Sequence, residues 1–517
     1  MNRRNSLPNL SALTVALAVG TFTGAAQAAD NYWTNANGTN RWAESGNWSL
    51  GRVPNSTDNA IIAWGTNTTS VIVDAFCQCG TFTNMNNQTL ISGNGYLRVH
   101  QSAVIGGGLF MYGTTPILET YGTTNLLGDL QLYKATFRTA AGANLVFESN
   151  SVATFVLNGG GVNFEGGSVT NWGTWNVNSG SFGVGNFNDA DPLTVIDNRL
   201  TGRITFNAPG GVFDPSSGNH NGGNSVLINR GVFEAIGGGN NPVEADVQYW
   251  VLDLGTTRAR NNSGFDFKSP VNLDANGGLD RGAWIMEDTS YIAFAGAGRY
   301  VTEIGAGASV WMNGPNAHMY GIDQVTSIRG LLSVSGGRQL LLQPLAPVTQ
   351  HSGKVYVGTG SAITLWQTFT QAGGTIQREV TTPADAATPA IAASNVANVY
   401  GHVQIDVNGG PNAVNTLYAV VSAGWGVGGQ FGSYLISGAG GPATDFYTNN
   451  DAMLRVAPPC PCDLNADARI DTADLVIFLG QFGSNKPARF DGADFNGDLT
   501  VDTADLVIFL GRFGIAC

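Results

Sequence analysis

The chain has 517 residues, 71 of them Gly, and only 12% are charged, against roughly 25% charged and about 7% Gly in ordinary globular domains. That composition excludes a helical bundle or a coiled coil. The net charge of −13, from 24 basic and 37 acidic residues, makes nucleic acid and anionic membrane poor partners.

In chain order, residues 1–28 carry Arg3 and Arg4, an apolar stretch at 10–19 and the ending Ala26-Gln27-Ala28. This is the layout of a secretory signal cut near Ala29, and it predicts a secreted protein, extracellular or associated with the cell surface. The apolar stretch is too short to span about 30 Å of hydrocarbon, and no later segment offers about 18 consecutive apolar residues. No membrane insertion is expected.

Residues 29–456 form a body of short alternating strands punctuated by Gly and Asn. Thr174-Trp175-Asn176-Val177 follows Asn171-Trp172-Gly173, and Val232-Phe233-Glu234-Ala235 follows Asn229-Arg230-Gly231. A glycine that opens an alternating apolar run recurs at Gly95, Gly173, Gly231, Gly330, Gly353 and Gly401. Most of the intervals approximate multiples of about 20–24, which predicts a mainly β fold, a right-handed parallel β-solenoid whose coils bury their apolar faces on one another. An array of β-sandwiches is the other fold the pattern allows.

Two stretches of the body carry a resemblance. Trp33, Trp42, Asn47-Trp48-Ser49, Gly51, Pro54 and Asp58 resemble the Trp-rich cap of secreted bacterial autotransporter-like β-solenoids. Residues 418–456, with Gly428-Gly429-Gln430-Phe431 and Leu454, resemble their terminal strands. The cap aromatics are expected to cover the open end of the stack, whose edge would otherwise recruit another chain. Residues 381–394, rich in Ala, Pro and Thr, read as an inserted loop.

Residues 457–462 (Ala-Pro-Pro-Cys-Pro-Cys) form a stiff linker, and 463–517 are of different character. From 460 onward the chain holds 9 of its 37 acidic residues and 4 of its 24 basic ones. Asp463, Asn465, Asp467, Asp471 and Asp474 place oxygen-bearing side chains at positions 1, 3, 5, 9 and 12 of a loop, with the Arg469 carbonyl at position 7. Asp494, Asn496, Asp498, Asp502 and Asp505 repeat the spacing in a second loop, with the carbonyl of Thr500 at position 7. A hard cation such as Ca²⁺ takes six to eight oxygens from a loop folded in this way, so two Ca²⁺ ions are expected. Ile470 and Val501, at position 8, are expected to pack the two loops together. The runs 471–483 (DTADLVIFLGQFG) and 502–514 (DTADLVIFLGRFG) differ at one place only and read as helices, the first with an apolar face of Leu475, Ile477, Phe478, Leu479 and Phe482.

This duplicated loop and helix resembles the type I dockerin, a small calcium-binding α-helical domain that binds cohesin domains; the resemblance covers the stretch 463–517 alone. It implies a cohesin-like partner contacted through Thr472 with Ala473 and through Thr503 with Ala504, in either of two orientations. Dockerins use Asp at position 12, as here, but usually Gly at position 6, where this chain has Ala468 and Leu499. A Cβ there costs energy if φ must be positive.

Five cysteines remain to be placed. In an oxidising compartment Cys517 is expected to bridge to Cys460 or Cys462; zinc is the other use of the pairs Cys77/Cys79 and Cys460/Cys462, but no His lies near either. For the body, acid chemistry on sugars needs two carboxylates about 5–10 Å apart. Asp189 with Asp191 lies in Asn188-Asp189-Ala190-Asp191-Pro192, where Asn and Asp before Pro are usual turn formers, and Glu287 with Asp288 are neighbours that a strand would point to opposite faces. His100, His220, His318, His351 and His402 are scattered. No catalytic residue is assigned, and a scaffold that contacts polysaccharide is expected, through Trp and Tyr stacked on sugar rings. Because dockerins commonly ride on polysaccharide-degrading enzymes, the alternative is a glycoside hydrolase or polysaccharide lyase.

Overall fold

Alternation buries every second side chain of a short run, Trp175 and Val177 in Thr174–Val177 and Phe233 and Ala235 in Val232–Ala235. Such runs are too short to hold a sheet alone and need the next coil for their hydrogen bonds. A computed structural model describes residues 28–515 except 63–69, 86–87, 115, 134, 156–160, 179, 186–192, 209, 214–224, 238–241, 247–248, 253, 268–272, 295–299, 410–415, 439–442, 457–461, 466–468, 484–492 and 497–499.

The described strands stack as a parallel β-solenoid. One face is a ten-stranded sheet from Asp30–Tyr32 to Tyr249–Leu252, and a second is an eleven-stranded sheet from Phe76–Cys79 to His318–Met319. The third begins at Ser70–Val73 and takes a strand from each coil as far as Ser433–Ser437. Parallel pairing of residues one coil apart, Thr174 with Arg203 and Arg203 with Val232, is incompatible with the sandwich array. The third sheet forks at two long strands, Gly278–Glu287 and Glu303–Asn313. From the second of these, one row continues at Ser327–Ile328 and a parallel row at Leu331–Ser335. A further six-stranded sheet starts at Gln339–Leu342 and ends antiparallel, with Leu417–Ala423 and Ala443–Tyr447 both paired to Asp451–Val456.

The expected glycines mark one corner. Gly173, Gly231, Gly330, Gly353 and Gly401 each stand immediately before a strand of the third sheet, whereas Gly95 precedes a strand of the second. The corner leaves no room for a side chain: a Cβ on Gly231 would lie 2.1 Å from the carbonyl oxygen of Gly202. The step between coils is uneven, short where Ser70 pairs with Gln88 and long where His402 pairs with Ser433. Beside the glycines runs a buried amide ladder, Asn171 Nδ2 to Asn198 Oδ1 at 2.8 Å and Asn198 Nδ2 to Asn229 Oδ1 at 2.7 Å, which satisfies side chains that would otherwise be costly to bury.

One continuous apolar core fills the described stack from Trp33 to Val456. At the N-terminal end, Trp42 meets Trp48 and Phe82 edge-on at 4.7 and 5.4 Å, and Trp48 meets Trp33 at 5.0 Å. The three Trp rings thus continue the core past the first coil. Residues 381–394, read as a loop, instead form a short helix, α1 (Pro383–Ala387), and a strand, Ile391–Ala393, built into the six-stranded sheet. The buried Arg378 guanidinium explains the difference: it donates to the carbonyl oxygens of Ser361 and Asp385, which ties α1 to the coil. Residues 472–510 add two helices, α2 (Thr472–Gln481) and α3 (Thr503–Leu510), with apolar clusters of their own. No helix among the described residues is long and apolar enough to cross a membrane.

Candidate metal centre

Each loop is closed by its position-12 carboxylate. Asp474 Oδ1 accepts the backbone N–H of Leu464 at 2.6 Å and of Asn465 at 2.9 Å, while Oδ2 accepts that of Asp471 at 3.0 Å. Asp471 caps α2 in return, taking the Ala473 N–H at 2.8 Å. The second loop repeats this arrangement: Asp505 takes Phe495 at 2.6 Å, Asn496 at 3.1 Å and Asp502 at 3.0 Å, and Asp502 caps Ala504 at 2.7 Å. Asp474 and Asp505 are both fully buried, a position a carboxylate tolerates because three N–H groups converge on it. Positions 1 and 3, Asp463 and Asn465, are thereby drawn to the start of the following helix, as are Asp494 and Asn496.

Asp467 with Ala468, and Asp498 with Leu499, lie outside the described residues. Among the described residues no group of three or more His, Cys, Asp or Glu side chains is gathered to hold a metal ion. The donor set of both loops is otherwise of the oxygen type a hard cation takes, with carboxylates at positions 1, 9 and 12.

The halves are joined crosswise. Ile470 of the first loop packs against Phe509 of α3, and Val501 of the second shares a cluster with Phe478 of α2. Gly483 donates its N–H to Val501 O at 2.8 Å, and Gly514 donates to Ile470 O at 2.7 Å, the matching bond of the other half. Both glycines have positive φ, +79° and +84°, where a side chain would be strained.

The apolar face read for α2 is corrected. Of its five residues only Phe478 is buried and Leu475 partly so, whereas Ile477, Leu479 and Phe482 are exposed along with Val476. Thr472 and Ala473 are exposed, as are Thr503 and Ala504. The spacing of Thr472, Val476 and Leu479, repeated at Thr503, Val507 and Leu510, is one helix face, and all six are exposed. Val476, Leu479, Val507 and Leu510 were hidden in the sequence because these helices are apolar on both sides.

Cys460 and Cys517 lie outside the described residues, and Cys462 is a free thiol packed with Ile470 and Phe509. Burial pushes that thiol up to about 11. Cys77 and Cys79 are free and buried in the body's core, and among the described residues no third His, Cys, Asp or Glu joins them in a group that could hold a metal ion.

Of the carboxylate pairs in the body, Asp189 and Asp191 lie outside the described residues. Glu287 ends its strand in an ion pair with Arg258 at 2.5 Å, and Asp288 begins a turn at φ +57°, so the two form no joint site. His100 stacks on Tyr121, His318 meets Arg338 at 3.3 Å and His402 meets Ser433 Oγ at 2.7 Å, all in separate places; His220 lies outside the described residues. Compared with family models, with curated proteins and with solved structures, the chain matches none.

Proposed function

We propose that this is an exported attachment protein, in which residues 463–517 form a dockerin-type module that binds two Ca²⁺ ions and docks a cohesin-like partner. The body, residues 29–456, is the scaffold it fastens, a right-handed solenoid, the hand almost all parallel crossovers take. It contacts polysaccharide at the cell surface or in the medium. The observation that carries the reading is the duplication itself: two loops closed by the same carboxylate bonds, joined by reciprocal Gly483 and Gly514 bonds, each presenting the same exposed Thr-Ala pair. Side chains of Asp463, Asn465, Asp467, Asp471 and Asp474, with the Arg469 carbonyl, would hold one ion. Their counterparts from Asp494 to Asp505, with Thr500, would hold the other. The cation would supply positive charge that offsets buried carboxylates, coupling metal binding to folding.

Calorimetric titration of Ca²⁺ into chelator-stripped full-length protein tests this. Two ions bound, lost in the double variant Asp463→Ala and Asp494→Ala, with calcium-dependent retention on an immobilised cohesin panel, is the expected result. Absence of calcium binding would sink the proposal.

A further inference from the structure

We infer that the outward face of the forked sheet between Trp311 and Ser437 binds a neutral, extended polysaccharide laid along the axis of the stack. This rests on the polysaccharide-contacting reading of the body and adds to it the site and the class of sugar.

The register builds the face column by column. Trp311 pairs with Ser333, Ser333 with Tyr356, Tyr356 with Gln377 and Gln377 with Gln404. In the next outward column Glu379 pairs with Asp406. Adjacent coils are about 4.8 Å apart, close to the advance of one pyranose in an extended chain, so a glycan along the axis meets one coil per sugar. Trp311, 39% exposed, and Tyr356 stand two coils apart, about the span of a disaccharide, and offer ring faces on which the C–H faces of sugars stack.

Between them, Ser333 occupies an outward position yet is only 1% exposed, and its Oγ has no hydrogen-bond partner. Gln377 Oε1 is likewise unpartnered. Both oxygens are buried beneath the column that carries the aromatics, so the contacts to sugar come from the rings and the carboxylates beside them.

The two carboxylates are held by neutral donors alone. Glu379 accepts from Tyr356 Oη at 2.8 Å and from Asn408 Nδ2 at 2.9 Å. Asp406 accepts from Ser437 Oγ at 2.7 Å, from Gln404 Nε2 at 2.8 Å and from Gln377 Nε2. Elsewhere on this sheet three carboxylates face arginine: Glu234 meets Arg203 and Arg260, Glu287 meets Arg258, and Glu303 meets Arg329. Glu379 and Asp406 have no such ion pair among the described residues, and Lys354 acts on Asp406 only from a distance. Carboxylates fixed this way accept hydrogen bonds from sugar hydroxyls. Their charge, without an arginine partner, repels uronate or sulfated chains, which selects a neutral one. Burial raises the Asp406 carboxyl, but the bonds from Gln404, Ser437 and Gln377 outweigh it and hold it below the usual carboxylate range. It stays an acceptor, suited to binding rather than to donating a proton for cleavage.

The experiment is affinity electrophoresis of the full chain through gels containing neutral glycans (xylan, mannan, mixed-linkage glucan) or polygalacturonate. Retardation by a neutral glycan is expected, weakened about tenfold or more in Trp311→Ala and in the double variant Glu379→Gln and Asp406→Asn. Trp172→Ala, an exposed ring before the strand Thr174–Val177 and outside the coils from Trp311 to Ser437, is expected to bind as the parent does. Matching circular dichroism of each variant excludes misfolding, and Tyr356→Phe, which keeps the ring and removes one donor to Glu379, serves if the double variant does not fold. Neutral-glycan binding indifferent to all of these changes, or tighter binding of polygalacturonate, would overturn the site while leaving the polysaccharide-contacting reading in place. No retardation by any glycan would overturn both.

Discussion

A methyl group on Gly353 would lie 2.0 Å from the carbonyl oxygen of Gly330, and the next nearest atoms are the Arg329 backbone, so no flexible side chain is there to yield. Gly353→Ala is therefore expected to cost at least about 2 kcal/mol, read as a lower midpoint in denaturant. Gly480 is the contrast. It sits inside α2 with nothing within 4 Å of its missing side chain, so Gly480→Ala is expected to stabilise that helix by about 0.5–1 kcal/mol, measured by the same titration. At this scale the sequence was informative only where a glycine was followed by an alternating apolar run. Gly202, Gly255 and Gly374 stand at the same corner, before Arg203, Thr256 and Thr375, but coils of unequal length keep the corner glycines from recurring at one fixed interval. Glu379 and Asp406 were invisible for another reason: they lie far apart in the chain, and only the register of two coils brings them together.

Among the elements, α1 shows how a segment with loop-like composition becomes structure. Its capping box places Asp385 where Thr382 N–H at 3.0 Å, Thr382 Oγ1 at 2.9 Å, Thr381 Oγ1 at 3.0 Å and Gly360 N–H at 2.8 Å all donate to it. Burial alone raises this carboxyl, but the donors prevail and hold it below its usual range. A carboxyl depressed in the folded state stabilises the fold above its unfolded value of about 3.9, and that contribution is lost as pH falls through the folded value. Asp385→Asn is thus expected to lower the unfolding temperature at neutral pH and to flatten its fall between about pH 5 and pH 2. A variant as acid-sensitive as the parent would contradict this. The strands were legible because alternation forces one side inward, and the helices because the run DTADLVIFLG occurs twice. The lengths of the coils were not, since turns of any length can join strands whose register is set by the sheet.

For the molecule as a whole, the crosswise bonds of the C-terminal helices mean that neither half has a complete core. Removing 491–517 takes away Phe509, which covers Ile470, and Val501, which accepts from Gly483. Helix content is expected to fall by both helices rather than one, and circular dichroism showing α2 intact in the truncated chain would refute this.

In the body, hydrogen bonds between coils lie along the stack axis. Drawn apart at residues 29 and 456, they carry load in tension a few at a time, so the coils peel in succession rather than shear together. Coils of unequal length release about 60–110 Å of chain each, and single-molecule extension would read the coil order as a saw-tooth of unequal teeth. A protein held at one end would then give way gradually, as a shock absorber does.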